Sequence, residues 1–220
     1  MRLYLASNDL GNFENKLLDL VGDNKSSLII SNARDHRSVD ERKAIVDEDI
    51  GILNRCGLSV TELDLRNYFH QSATLRQYID DFHPGLIFAM GGNLYSLATA
   101  LHLSGLDDII RADLAADRYV YGGYSAGAMN ASHHLLNYLD SFGKHSDDRL
   151  AQVKEIYGEV YTQGLGLIDE YLCPHADEEK FRDVCQEAEA SIKSKGLTPI
   201  VLNNTDVVIV NHGQLEICRA

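Results

Sequence analysis

Short apolar runs alternate with longer amphipathic stretches along most of the chain, the pattern of strand, helix and strand in a mostly parallel sheet. Residues 2–6, 27–31, 58–65, 85–90, 119–123 and 165–173 predict strands, and residues 12–21, 40–56, 75–82, 94–102 and 126–139 predict the helices between them. Residues 140–163 are polar and charged and predict an inserted loop with a single helical turn. From Pro199 the texture becomes short and β-rich, in runs 200–203, 207–211 and 214–218. His212-Gly213 reads as the turn of a closing antiparallel hairpin at the sheet edge. The fold class expected is α/β, a mostly parallel sheet flanked by helices on both faces, with a C-terminal β-hairpin.

Composition narrows this picture. A chain of 220 residues that is 45% hydrophobic and holds only 3 prolines supports one sizeable core, so residues 1–220 are read as a single domain. Cys56, Cys173, Cys185 and Cys218 are far apart, with no CxxC pair and no histidine at zinc-finger spacing, so reduced, buried thiols and no metal are expected. The N-terminus turns polar after a handful of apolar residues, short of a signal-peptide core or a membrane span, and a cytoplasmic location is expected. A formal net charge of −13 argues against nucleic acid or an anionic membrane as partner. An acidic substrate would need a local basic pocket working against that field.

The strongest chemical signal is Gly123-Tyr124-Ser125-Ala126-Gly127, a GxSxG turn between a predicted strand and a predicted helix. A nucleophile on such a turn sits in a strained backbone conformation that needs small neighbours two positions to either side. The helix beginning at Ala126 is expected to aim its N-terminal amides at the same spot, favouring negative charge on a substrate oxygen. A second glycine turn, Met90-Gly91-Gly92-Asn93, follows the preceding strand, and parallel neighbours place their C-terminal ends on one side of the sheet. Gly92 and Ala126 are therefore the expected oxyanion donors, with Asn93 and Tyr124 as candidate substrate contacts.

Of nine histidines, His175 is the candidate base, because Pro174-His175 ends the predicted strand 165–173 and follows the nucleophile in the chain. The third member, which fixes the imidazole tautomer, is sought at Asn204 or Asp206, with Glu178 and Glu179 behind them. An asparagine can orient a histidine but brings no charge; in serine triads the exchange of aspartate for asparagine costs about four orders of magnitude in turnover.

Taken in order and spacing, Met90-Gly91-Gly92-Asn93, Gly123-Tyr124-Ser125-Ala126-Gly127-Ala128 and Cys173-Pro174-His175 resemble peptidase family S51, the serine peptidases of the dipeptidase E and cyanophycinase type. The resemblance implies a class I glutamine amidotransferase-like fold with serine at the elbow in place of cysteine. It further implies Ser125 as nucleophile, His175 as base, Gly92 and Ala126 as oxyanion donors, and cleavage next to aspartyl residues. Two departures stand out. The family's third catalytic position, usually Glu or Asp, falls on Asn204, with Asp206 two residues beyond. The arginine-containing loop that follows the histidine in dipeptidase E is here the acidic Ala176-Asp177-Glu178-Glu179. For an anionic side chain the basic cluster Arg34-Asp35-His36-Arg37 is the candidate, with Lys180 and Arg182 as alternatives.

The function expected is that of a serine peptidase acting on small peptides, dipeptides with an N-terminal Asp foremost, with no metal or organic cofactor. The expected partner is a small peptide substrate, with no nucleic acid and no membrane, and a homodimer left open. Two alternatives are a binding or sensor protein that has lost efficient turnover, and an esterase or isopeptidase on the same fold.

Overall fold

The structure, a computed structural model, describes residues 1–142 and 145–220, and side chains outside residues 139–147. Strands β1 (Arg2–Ala6), β2 (Ser26–Ile30), β3 (Ser59–Glu62), β4 (Leu86–Ala89) and β5 (Val120–Tyr124) alternate with helices α1 (Glu14–Val21), α2 (Val39–Arg55), α3 (Ser72–Phe82), α4 (Leu94–Ser104) and α5 (Leu106–Ala115). They are followed by α6 (Ala126–Met129), α7 (His145–Tyr157), β6 (Tyr171–Cys173), α8 (Arg182–Ser194), β7 (Pro199–Val201), β8 (Val207–Asn211) and β9 (Gln214–Cys218).

Seven strands form one sheet in the order β3-β2-β4-β5-β1-β8-β9. The first five are mutually parallel, whereas β8 runs antiparallel to β1 and pairs with β9 as the expected edge hairpin. Alternation along each strand divides the core between the two faces, as the period-2 geometry of a strand requires. Leu3, Leu5, Ile87 and Tyr121 face α3, α4 and α5, while Tyr4, Ile29, Phe88 and Val120 face α1 and α2. The central strands are apolar on both faces, which is why they read as continuous hydrophobic runs. A third apolar cluster joins Leu94 and Ala98 of α4 to Tyr171 and Cys173 of β6 and to Cys185, Ala188 and Ile192 of α8.

A predicted helix and a predicted strand are corrected by one common cause. The predicted helix 126–139 is a single α-turn, Ala126–Met129, followed by irregular chain and a 3-10 segment, Leu135–Phe142. The predicted strand 165–173 is ordered as a strand only at Tyr171–Cys173. The amides of Leu165, Leu167, Gly166 and Gly164 donate to the carbonyls of Asn130, Ala131, Ser132 and His133, at 2.6 to 3.1 Å. These carbonyls accept from a distant segment rather than from a continuing helix, and amides spent on them cannot serve a sheet ladder. In place of the predicted loop 140–163 there is helix α7, a 13-residue element; the part of that prediction on residues 143–144 lies outside the described residues. Helices α5 and α8 were not predicted at all, although Cys185, Ala188 and Ile192 recur at helical spacing.

β6 belongs to a separate two-stranded parallel sheet with β7, in the register Cys173↔Val201. Cys56 is half-buried and the other three cysteines are buried, all as free thiols. Among the described residues no helix is long and apolar enough to cross a membrane, and no three His, Cys, Asp or Glu side chains gather as a metal site.

Candidate active site

Strand β5 delivers Ser125 at φ 49° and ψ −114°, a left-handed region that a residue with a side chain adopts only under constraint. The constraint is steric. A Cβ on Gly127 would sit 2.0 Å from the Ala89 carbonyl oxygen, and one on Gly123 would sit 2.7 Å from the same atom, so β4 and the elbow approach closely only because both positions are glycine. Gly92, at φ 148°, meets the same kind of limit: a Cβ there would lie 2.4 Å from the Ala33 carbonyl oxygen. Its neighbour Asn93 donates its N–H to that carbonyl at 2.8 Å and, with its side-chain oxygen, caps α4 at the amides of Tyr95 and Ser96. Gly92 and Ala126 line the same cavity as Ser125. Since α6 is one turn long, it offers Ser125 no extended helix dipole.

His175 Nε2 lies 2.9 Å from Ser125 Oγ, and His175 Nδ1 lies 2.7 Å from Asn204 Oδ1. The register of the small sheet sets this meeting. Beyond the Cys173↔Val201 pair, Leu202 N–H donates to the Cys173 carbonyl and Ala176 N–H to the Leu202 carbonyl, so the chain carrying His175 runs beside the one carrying Asn204. His175 itself has φ 64°, and its N–H donates to Ser7 Oγ at 2.8 Å. The Phe181 ring packs on the imidazole with centroids 4.9 Å apart. With Nδ1–H donated to Asn204, Nε2 carries the lone pair that faces the serine hydroxyl.

Asp206 is placed differently. It is fully buried, and its Oδ2 accepts from the Asn203 amide and from an Arg219 guanidinium nitrogen, both at 2.9 Å. It shapes the 203–206 turn and makes no hydrogen bond to His175. Glu178 comes closer: its Oε2 is 3.7 Å from His175 Nδ1 and 3.4 Å from Asn204 Nδ2.

The cavity above Ser125 has a volume of about 720 Å3. Arg34, His36, Arg37, Arg149 and Lys180 line it, against one carboxylate among the described residues, Glu178. In a chain of net charge −13 this is the local basic pocket that an acidic substrate would require. Buried in part, with Arg37 and Arg34 beside it, His36 is pushed below the usual histidine range. Arg149, from α7, is lowered by burial. Arg182, by contrast, is exposed at the start of α8 and does not line the cavity. Tyr124 borders the cavity and donates its phenol to Asp49 Oδ2 at 2.8 Å. Burial pushes the Asp49 carboxyl up to about 6, although the Tyr124 hydroxyl opposes the shift.

Three contributors were not legible beforehand. Arg149 was hidden because its segment lacked periodic apolar positions. Ser7 and Asp49 carry no local signature; each is recruited by a partner more than 70 positions away, which only the folded chain brings near.

The model of peptidase family S51 matches residues 4–218. An uncharacterized peptidase of Listeria innocua serovar 6a is 29% identical over 180 residues, covering 81% of this chain and 78% of the relative. One from Listeria monocytogenes serovar 1/2a is 25% identical over 172 residues, covering 78% and 77%. Among solved structures, a Listeria monocytogenes EGD-e protein described as a candidate peptidase E superposes with a TM-score of 0.75 at 19% identity, covering 100% of this chain and 98% of the other. A peptidase from an acI-B1 actinobacterium gives a TM-score of 0.70 at 17% identity, covering 99% and 86%. Those two structures share the fold. The family match, spanning nearly the whole chain and including the elbow, the glycine turn and the histidine, carries the assignment: this protein belongs to peptidase family S51.

Proposed function

We propose that this protein is a serine peptidase that hydrolyses small acidic peptides, dipeptides with an N-terminal Asp foremost, with Ser125 as nucleophile and His175 as base. The observation that carries the reading is the chain of contacts Ser125 Oγ to His175 Nε2 to Asn204, at 2.9 and 2.7 Å, at the wall of a cavity lined with cations.

Ser125 Oγ attacks the peptide carbonyl as its proton passes to His175 Nε2. The carbonyl oxygen, now an oxyanion, is held by the amides of Gly92 and Ala126. The tetrahedral intermediate collapses as His175 protonates the leaving amine, which departs and leaves an ester on Ser125. Water, deprotonated by His175, repeats the attack and releases the acid. Substrate carboxylates are drawn to Arg34 and Arg37, with Asn93 and Tyr124 at the cavity wall. The steps need no metal or organic cofactor. The site lies on one chain, so a homodimer would not be required for the chemistry.

Incubation of the wild type and Ser125→Ala with a dipeptide panel, aspartyl-first members included, tests this by release of free amino acids followed by mass spectrometry. Release by wild type alone is expected, strongest where the first residue is acidic. A second reading, a binding protein with the same pocket, is favoured by the uncharged Asn204. Tight binding of aspartyl peptides with no release and no acyl adduct on Ser125 would support it.

A further inference from the structure

Asn204 brings no charge to the histidine, but a carboxylate stands one hydrogen bond further out. Glu178 Oε2 accepts from Asn204 Nδ2 at 3.4 Å and lies 3.7 Å from His175 Nδ1, and the Glu178 N–H donates to the His175 carbonyl at 3.1 Å. A carboxylate only accepts hydrogen bonds, so it directs the NH2 of the asparagine outward and Oδ1 toward the imidazole. That amide orientation in turn makes Nδ1 the protonated nitrogen and leaves Nε2 free to accept the serine proton.

We propose that Glu178 is a positioning residue that completes the orienter by splitting it in two: Asn204 supplies the hydrogen bond to His175, and Glu178 sets the asparagine's orientation and supplies the negative charge facing the imidazolium. The inference rests on the serine peptidase reading above.

Among the described residues Glu178 is the only carboxylate within 4 Å of a His175 ring nitrogen. Lys180 occupies its other oxygen, Oε1, at 2.6 Å, which leaves Oε2 to the asparagine and histidine. Lys180 holds the Glu178 carboxyl below the usual range, with the Asn204 hydrogen bond and the charge of His175 acting in the same direction. Asp177 is engaged by the Asn204 N–H at 2.8 Å. Asp9, from the β1–α1 connection, also interacts electrostatically with His175, while Arg34, Arg37, Arg149 and His36 line the same cavity as His175.

The test compares wild type, Ser125→Ala, Glu178→Gln, Asn204→Asp and the double variant E178Q/N204D. Each is measured for turnover of an aspartyl dipeptide across pH and for labelling of Ser125 by a fluorophosphonate. Glutamine keeps an acceptor for the Asn204 NH2, so E178Q removes the charge, and with it the ion pair to Lys180, while keeping the asparagine's orientation. The expected result is a fall on the order of tenfold in kcat and in labelling rate, with KM nearly unchanged. The acidic limb of the kcat/KM profile should also move to lower pH, because the imidazolium has lost its counter-charge. Asn204→Asp alone sets two carboxylates against each other and gains little, whereas E178Q/N204D recovers wild-type turnover or exceeds it. An E178Q variant equal to wild type in kcat, labelling and acidic limb overturns the inference. So does an Asn204→Asp gain of the same size with and without E178Q. If wild type and Ser125→Ala alike stay unlabelled and inactive, the serine peptidase reading fails and takes the inference with it; a reactive wild type beside an indifferent E178Q overturns the inference alone.

Discussion

The two halves of the candidate site are built in opposite ways. The elbow at Ser125 comes from five consecutive residues at the junction of β5 and α6, and its geometry is imposed by contacts too close for any side chain. His175 and Asn204 come from loops 29 positions apart, joined by the register of a two-stranded sheet and held by polar contacts at 2.7 to 3.4 Å. Steric constraint fixes a position with little tolerance, because overlap energy rises steeply with any intrusion. Polar constraint is softer and open to titration, so it suits the part of a site where a proton moves.

Substitutions on the two sides should therefore fail differently. The largest effect is expected from Ser125→Ala, which should lower dipeptide turnover by at least about 10^4-fold without changing the thermal midpoint much. His175→Ala added to it should cost almost nothing more, since nucleophile and base act as one unit; kcat measured on single and double variants checks this. Gly127→Ala attacks the steric half. Its Cβ would fall on the Ala89 carbonyl, and a loss of at least about 3 kcal/mol in denaturant unfolding is expected, with activity lost in parallel.

Asp49, beneath the elbow, sharpens the comparison through pH. Its folded value, about 6, lies above the ordinary value of 3.8, so the stability linked to it is present below about pH 4 and is lost as pH rises through about 6. The loss is on the order of 3 kcal/mol at most. Asp49→Asn retains an acceptor for the Tyr124 hydroxyl and should remove this component from the difference between variant and wild-type unfolding curves at pH 4 and pH 7. Oppositely signed contributions, as from the lowered Asp64, Asp80 and Asp117, cancel in that difference. The smallest effect is expected from Arg34→Ala, about a tenfold rise in KM for acidic-first dipeptides with kcat retained, read from steady-state kinetics across matched acidic and neutral substrates.

Much of the fold was legible because its strands are apolar on both faces and its helices on one. The parallel strands β1, β2, β4 and β5 and the terminal hairpin are all local patterns. The segment from Ala126 to Ile168 was not. Its helix stops after Met129 because the amides of 164–167 take the carbonyls of 130–133, a competition between positions some 30 residues apart that no window of sequence displays. Arg149 was lost with it, since a helix read as a loop cannot be assigned a face.

What the sequence determined by itself is the elbow, since glycine at 123 and 127 is a steric requirement written within five consecutive positions, and the candidacy of His175, which ends an apolar run. Tertiary structure alone decided what stands behind the histidine. Asn204, Asp206 and Glu178 are all polar, and nothing in their sequence positions says which of them reaches the imidazole. Asp206 is drawn into the core by Arg219 and the Asn203 amide, while Asn204 and Glu178 are left beside Nδ1. The physical reason is that hydrogen bonds are settled by partners and angles within about 3 Å, and such distances between remote segments exist only once the sheets have paired.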